Sequence, residues 1–157
     1  KSIKETHPNV VFNLLGPLGV QNKSAIQSDQ IERWKKDGVI DYLGEVVDIR
    51  PYIEGSDCIV LPSYREGTSR VLLEAAAMGR PLIASNVPGC KEIIDDGING
   101  YLCMPKNSND LEKQMLKMLD LDDHMRHEMG KKGRLKVERF YDQKLVFEIY
   151  QNEIDKI

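Results

Sequence analysis

The sequence predicts an α/β fold, a parallel sheet with helices on both faces. Short runs rich in Val, Ile and Leu alternate with longer stretches of helical spacing. Gly, Pro, Asn or Ser bounds each apolar run, and these residues interrupt regular structure. Strand–helix alternation builds parallel sheets whose crossovers cover both faces. A chain of 157 residues is one domain in size, long enough to bury a sizeable core.

Ser2-Ile3-Lys4-Glu5 reads as the last turn of a helix ending at His7-Pro8. With Lys rather than Met at position 1, the expectation is a piece of a longer chain. Strands are expected over residues 10–15, 39–43, 58–61, 81–85 and 100–104. Ser28 or Asp29 caps a helix running to about Lys36, with Ile31 and Trp34 on one face. Thr68 or Ser69 caps a helix over 71–78, and Gly79 ends it. Asn86-Val87-Pro88-Gly89 and Asp96-Gly97-Ile98-Asn99-Gly100 read as turns. Leu111, Met115, Met118 and Leu119 recur at helical spacing within 110–120. Residues 123–141 read as helical despite Gly130 and Gly133, and a last helix is expected over 143–154.

Composition narrows the function classes. The chain is 41% hydrophobic and 30% charged, as in an ordinary soluble domain. A net charge of -3 gives no reason to expect nucleic acid or an anionic membrane as an electrostatic partner. No apolar run approaches the roughly 20 residues that span a bilayer. Cys58, Cys90 and Cys103 are widely spaced with no CxxC pair, which suits buried reduced thiols in a cytoplasmic protein. The sequence holds no G-x-G-x-x-G and no P-loop, which disfavours a generic dinucleotide or P-loop site.

In parallel α/β folds ligands bind beyond the carboxyl ends of the strands. The run Leu61-Pro62-Ser63-Tyr64-Arg65-Glu66-Gly67-Thr68-Ser69 occupies that place, between a strand and a helix start. Glu66 and Glu74 lie eight residues apart, Glu74 inside a helix that is otherwise almost wholly apolar. Such a helix belongs in a core, where a carboxylate is costly unless a polar group meets it. Glu74 is therefore expected to line a cleft and to have a hydroxyl-bearing or cationic partner. A helix N-terminus suits phosphate, and Gly67 lets the backbone come close to a ligand. The N–H groups of Thr68, Ser69, Arg70 and Val71 are placed to face a diphosphate. At helical rise the two carboxylates stand on the order of 8–10 Å apart, suited to two parts of one extended ligand. Carboxylates accept hydrogen bonds from vicinal hydroxyls, so a nucleotide-sugar fits. The competing reading makes Glu66 a solvated loop residue and Glu74 an ion-paired one.

Other candidates read more plainly. Cys90 has no His near it in sequence and reads as a packed thiol rather than a nucleophile. His124, His127 and Glu128 read as a surface helix face rather than a metal site, and His7 as a loop residue. Lys131, Lys132, Arg134, Lys136 and Arg139 form a solvated basic face, or alternatively a contact for anionic lipid. Arg65 and Arg70 are placed to face phosphate, and Arg80 reads as structural.

The segment LPSYREGTSRVLLEAAAMGRPLIASNVPGCKEIIDDGINGYLCMP, residues 61–105, resembles the signature of family 4 retaining glycosyltransferases of the GT-B fold. The hallmark is two Glu with seven residues between them, here Glu66 and Glu74. Pro62-Ser63, Glu66-Gly67, Leu73-Glu74-Ala75, Gly79-Arg80-Pro81, Pro88-Gly89, Glu92-Ile93 and Asn99-Gly100 match as well. Residues 11–16, 39–44 and 48–50 and the helical tail to about Tyr150 extend the resemblance over nearly the whole chain. The wording is most similar to bacterial enzymes that build capsular polysaccharide, O-antigen or lipid-linked oligosaccharides.

The resemblance implies a Rossmann-like, C-terminal, donor-binding domain over residues 1–157. It implies that Glu74 binds ribose hydroxyls and that Glu66 contacts the transferred sugar as the catalytic-site carboxylate. Backbone amides from Gly67 to Val71, with Thr68, Ser69 and Arg70 between them, would hold the diphosphate and sugar. Val46 and Val47, after Leu43-Gly44, would meet the base. The donor would be a nucleotide-sugar, UDP-linked, bound without a metal or other cofactor. The acceptor would be a glycan or lipid-linked glycan, and nucleic acid is no partner. The protein would be cytoplasmic, with peripheral attachment to the inner face of the plasma membrane. The family's Arg and Lys on the first strand of this domain, and its acceptor domain, find no counterpart in these residues. The expectation is donor binding without transfer by these residues alone. A non-catalytic nucleotide-sugar-binding module and a GT-B-fold sugar-nucleotide epimerase are the alternatives.

Overall fold

Every strand pairing among the described residues is parallel. The computed structural model describes residues 1–19 and 25–156. The pairings fall into two sheets rather than one, and the chain divides into two compact units, Lys1–Ile49 and a second from Arg50 onward.

The first unit holds α1 (Ser2–Thr6), β1 (Asn13–Leu15), α2 (Ser28–Lys36) and β2 (Asp41–Gly44). β1 and β2 pair in register Asn13 with Asp41 and Leu14 with Tyr42. The Tyr42 hydroxyl donates to the Gly16 carbonyl at 2.7 Å and ties β2 to the loop after β1. Ile31 on α2 is fully buried and Trp34, on the expected shared face, is half-buried.

The second unit begins with α3 (Arg50–Glu54), which the sequence did not signal: five residues show no period. It continues with β3 (Ile59–Leu61), α4 (Arg70–Ala77), β4 (Leu82–Ser85), β5 (Gly100–Cys103), α5 (Ser108–Leu119), α6 (Asp123–Phe140) and α7 (Gln143–Ile154). The sheet order is β3-β4-β5. Side chains alternate across a strand, and the register uses this. Val60, Ile83 and Tyr101 form one row across the sheet and pack with Met115 and Met118 of α5 and Met129 of α6. Leu82 and Ala84, one residue out of phase, turn to the opposite face and are also fully buried; α4 packs on β3 and β4. β4, buried at all four residues, is thus the central strand of a sheet covered on both sides.

The strands are shorter than their apolar runs. β1 starts at Asn13 rather than residue 10, and Val11 is exposed. β3 starts at Ile59, leaving Cys58 before it. β5 ends at Cys103 because the Met104 amide donates instead to Asp110 Oδ2, 2.6 Å away. α5 begins earlier than expected, capped by Asn107, whose Oδ1 accepts from the Asp110 amide at 3.0 Å.

Gly130 and Gly133 have a packing reason. A Cβ built on Gly130 would stand 1.9 Å from the Gly79 carbonyl oxygen, so α6 crosses α4 where only glycine fits. Gly133 faces Ala76 and Asn99 at ordinary contact distance. Arg134 of α6 donates to the Ala77 carbonyl at 3.0 Å, satisfying one of the open acceptors at the end of α4.

Candidate functional site

The expected binding run is where parallel topology puts it: β3 ends at Leu61, the loop follows, and α4 starts at Arg70. Ser69 is the N-cap, almost fully buried, with Oγ accepting from the Leu72 amide at 3.4 Å. Such a cap contributes about 1 kcal/mol. Thr68, the other candidate cap, is exposed.

Glu66 is half-buried, and its Oε1 accepts from the Ser63 hydroxyl at 2.6 Å. It is therefore a fixed carboxylate, not a freely solvated one. The turn after β4 holds the loop from behind. Gly89 has φ +84, and a Cβ built on it would stand 1.4 Å from the Gly67 carbonyl oxygen. The Ser69 amide donates to the Gly89 carbonyl at 3.2 Å, and Glu92 Oε2 accepts from the Gly89 amide at 2.7 Å. Pro88-Gly89 is thus more than the turn its sequence suggests: it is the support on which Glu66 and Gly67 rest. No sequence signal joined these segments, because the contact is made across two separate loops.

Gly67 itself needs no glycine for the protein's own packing. Its φ lies outside the left-handed range, and a Cβ there would meet nothing. Space is open on that side of the loop. Of the amides expected to face a diphosphate, that of Ser69 is already engaged by Gly89. Among the described residues those of Thr68, Arg70 and Val71 are left over at the helix start.

The expectation that α4 is enclosed all round is corrected. Leu72, Ala75 and Ala76 are fully buried, but Arg70 and Val71 are exposed and the Glu74 side chain is 36% exposed. Residues 70, 71 and 74 share one side of a helix, and this side faces outward. Glu74 therefore avoids the burial cost that the sequence implied. Its partner in the structure is Arg70, one turn earlier, at 3.5 Å. An ion pair this exposed contributes little and yields readily to another partner.

Glu66, Gly67, Thr68, Ser69, Arg70, Val71 and Glu74 thus lie together on one loop and helix. Val46 and Val47, after β2, belong to the first unit, with Val46 half-buried and Val47 fully exposed.

The remaining candidates are engaged elsewhere. Cys90 is fully buried; burial pushes its thiol up to about 11, with Glu66, Glu92 and Cys103 adding to the effect. Burial likewise pushes Cys58 up to about 12, helped by Asp57, and raises Cys103. These are protonated, packed thiols. His124 and His127 are exposed on α6, and Glu128 pairs with Lys131 at 2.6 Å, which holds its carboxyl below the usual range. The basic stretch is largely consumed: Arg134 pairs with Glu138, Lys136 with Asp95, and Arg139 stacks on Phe140.

At the other, amino ends of β3 and β4 an open cleft of about 210 Å³ is lined by Asp57, Arg80, Asp123, Arg126 and His127. Arg80 donates to the Glu54 carbonyl at the end of α3, the structural role its position suggested. Arg126 pairs with Asp123 and donates to the Leu121 carbonyl. Among the described residues no helix is long and apolar enough to cross a membrane.

A family model described as glycosyl transferases group 1 matches residues 1–121. The chain is 31% identical over 120 residues to the N,N'-diacetylbacillosaminyl-diphospho-undecaprenol alpha-1,3-N-acetylgalactosaminyltransferase of Campylobacter jejuni, covering 76% of this chain and 31% of that one. It is 26% identical, at a TM-score of 0.75, to the C-terminal domain of a glycosyl transferase group 1 family protein (LpcC) of Francisella tularensis, covering 89% of this chain and 74% of that domain. Anabaena HepE, solved in complex with UDP, shares the fold at a TM-score of 0.81 with 22% identity over 96% of this chain and 42% of that one. The chain spans about a third of the length of the curated relatives it matches. The Rossmann-like strands and helices are those of GT-B glycosyltransferases, and the chain belongs to the glycosyl transferases group 1 family.

Proposed function

We propose that residues 1–157 are the C-terminal, donor-binding domain of a retaining glycosyltransferase. It takes a sugar from a nucleotide-sugar, UDP-linked, and extends a bacterial surface polysaccharide or lipid-linked glycan. The observation that carries this is the placement of two carboxylates on one loop and helix. Glu66 is fixed by Ser63 at the start, and Glu74 lies on the open side of α4. The diphosphate-linked lipid in the name of the Campylobacter relative and the UDP in the Anabaena structure support the substrate class.

In this reading the leaving diphosphate meets the free amides of Thr68, Arg70 and Val71 at the positive end of α4. The open side of Gly67 gives it room to approach, and Ser69 holds the helix start in place. Glu74 exchanges its exposed Arg70 partner for ribose hydroxyls, which frees the guanidinium to face phosphate. Glu66, its orientation set by Ser63 and by the Gly89 support, contacts the transferred sugar beside the bond that breaks. Preorganised donors around a departing diphosphate supply the electrostatic part of catalysis, with no metal or cofactor invoked. The acceptor is bound by the part of the relatives' length that these residues do not span. The reading puts the protein in the cytoplasm, attached peripherally to the membrane through the basic stretch of α6, in which Lys132 is exposed and, among the described residues, makes no ion pair.

Calorimetric titration with UDP, UDP-glucose and UDP-N-acetylglucosamine tests the assignment. Glu74→Ala is expected to weaken all three ligands, and Glu66→Ala only those carrying a sugar. Equal affinity of both variants and the parent for every ligand contradicts it. Transfer activity by these 157 residues alone would refute the donor-only role.

A further inference from the structure

Lys106 is the non-glycine residue with positive φ among the described residues, at +60. A left-handed backbone is strained for lysine, and such strain persists only where the surroundings impose it. Here they do. The Asp110 carboxylate holds the Met104 amide at 2.6 Å, the Asn107 amide donates to the Met104 carbonyl at 3.3 Å, and Asn107 caps α5. The turn delivers Lys106 Nζ over the ring of Tyr64, 5.4 Å from its centroid. Tyr64 stands two residues before Glu66, and both partners are exposed. β3 and β5 flank β4 in one parallel sheet, so the loops leaving their carboxyl ends rise on the same edge. They start about 10 Å apart at ordinary strand spacing, and the Tyr64–Lys106 pair closes that gap. Among the described residues Lys106 makes no ion pair, so its charge is held in place and not neutralised.

We infer that Tyr64 and Lys106 form a cationic lip on the Glu66 loop that recognises a diphosphate. This rests on the donor reading of that loop. A cation positioned on an aromatic face loses less freedom on meeting an anion than a free lysine does. The diphosphate has two possible sources, a nucleotide donor or a lipid diphosphate, and both offer the same charged oxygens.

UDP, uridine and farnesyl diphosphate are titrated into the parent chain, Lys106→Gly, Lys106→Arg and Tyr64→Ala. Glycine accepts the left-handed backbone, so Lys106→Gly is expected to melt no lower than the parent. It is nevertheless expected to bind a diphosphate about five- to tenfold more weakly, with uridine unaffected. Lys106→Arg restores affinity, and Tyr64→Ala loses part of it. Loss confined to UDP assigns the lip to the donor, and loss confined to farnesyl diphosphate assigns it to a lipid. A parent that binds UDP with Lys106→Gly unchanged for both diphosphates overturns the inference alone. A parent that binds neither overturns it together with the donor reading.

Discussion

Replacing Gly89 by alanine tests the support beneath the candidate site. The new Cβ would stand 1.4 Å from the Gly67 carbonyl oxygen and 2.5 Å from its carbon, where 3.4–4 Å is ordinary contact. Both obstacles are backbone, so the Glu66–Gly67 loop must move by about 2 Å, or the turn must. Left-handed strain adds about 1–2 kcal/mol for a residue at φ +84. The Ser69 amide loses its acceptor in a buried position, which costs about 1–3 kcal/mol. The expected loss is about 2–5 kcal/mol, large for a single methyl group. In a chain of this size that lowers the melting temperature by about 4–20 °C. Gly97→Ala is the control: its φ is +75, but a Cβ there meets nothing. It carries the left-handed strain alone, about 1–2 kcal/mol. Thermal and denaturant unfolding of both variants isolates the steric contact as their difference. Equal destabilisation would refute the claim that Gly89 props the loop.

Further outcomes follow from the same geometry. Gly67→Ala is expected to fold within about 0.5 kcal/mol of the parent, because its Cβ meets nothing, yet to weaken UDP binding more than tenfold by calorimetry. Gly130→Ala is expected to be strongly destabilising, with a contact of 1.9 Å to Gly79, while Gly133→Ala, at 3.6 Å, is expected to gain up to about 1 kcal/mol from helix propensity; chemical denaturation checks the opposite signs. Cys58 and Cys90 are pushed up to about 12 and 11, so the unfolded chain releases these protons first. Their contribution to stability is full below the unfolded thiol pKa and is lost as pH rises from about 9 toward those values, by up to about 1.4 kcal/mol per pH unit for each thiol. Urea unfolding between pH 8 and 11 (roughly the span over which free thiols ionise) should show a shallower decline in Cys58→Ser than in the parent.

Much of this architecture is legible in the chain because periodicity is a local signal. The helix over 143–154 was expected with the bounds it has, and β4 and β5 differ from their apolar runs by one residue. Strand–helix alternation located the strand-end loop, and the Glu66–Glu74 spacing falls on that loop and the helix after it. What the sequence hid depends on contacts between distant segments. Gly130 reads as a helix weakness until Gly79 is seen beneath it, and Gly89 reads as a turn until Gly67 is. Ile93 and Ile94 are fully buried in an irregular stretch that shows no period. Glu74 misled in the other direction: eight largely apolar residues suggested enclosure, but α4 buries only one side. Lys106 carried no signal, since positive φ in a lysine follows from the turn around it and not from its type.

The loop and helix from Glu66 to Glu74 are proposed to receive the nucleotide, and titrating UDP into isotopically labelled protein while following backbone amide resonances tests this. Saturable shifts are expected at Gly67, Thr68, Arg70, Val71 and Glu74, with Lys106 and Tyr64 among the responders. Shifts clustered instead at Arg80, Arg126 and His127, in the cleft at the amino ends of the strands, would contradict it.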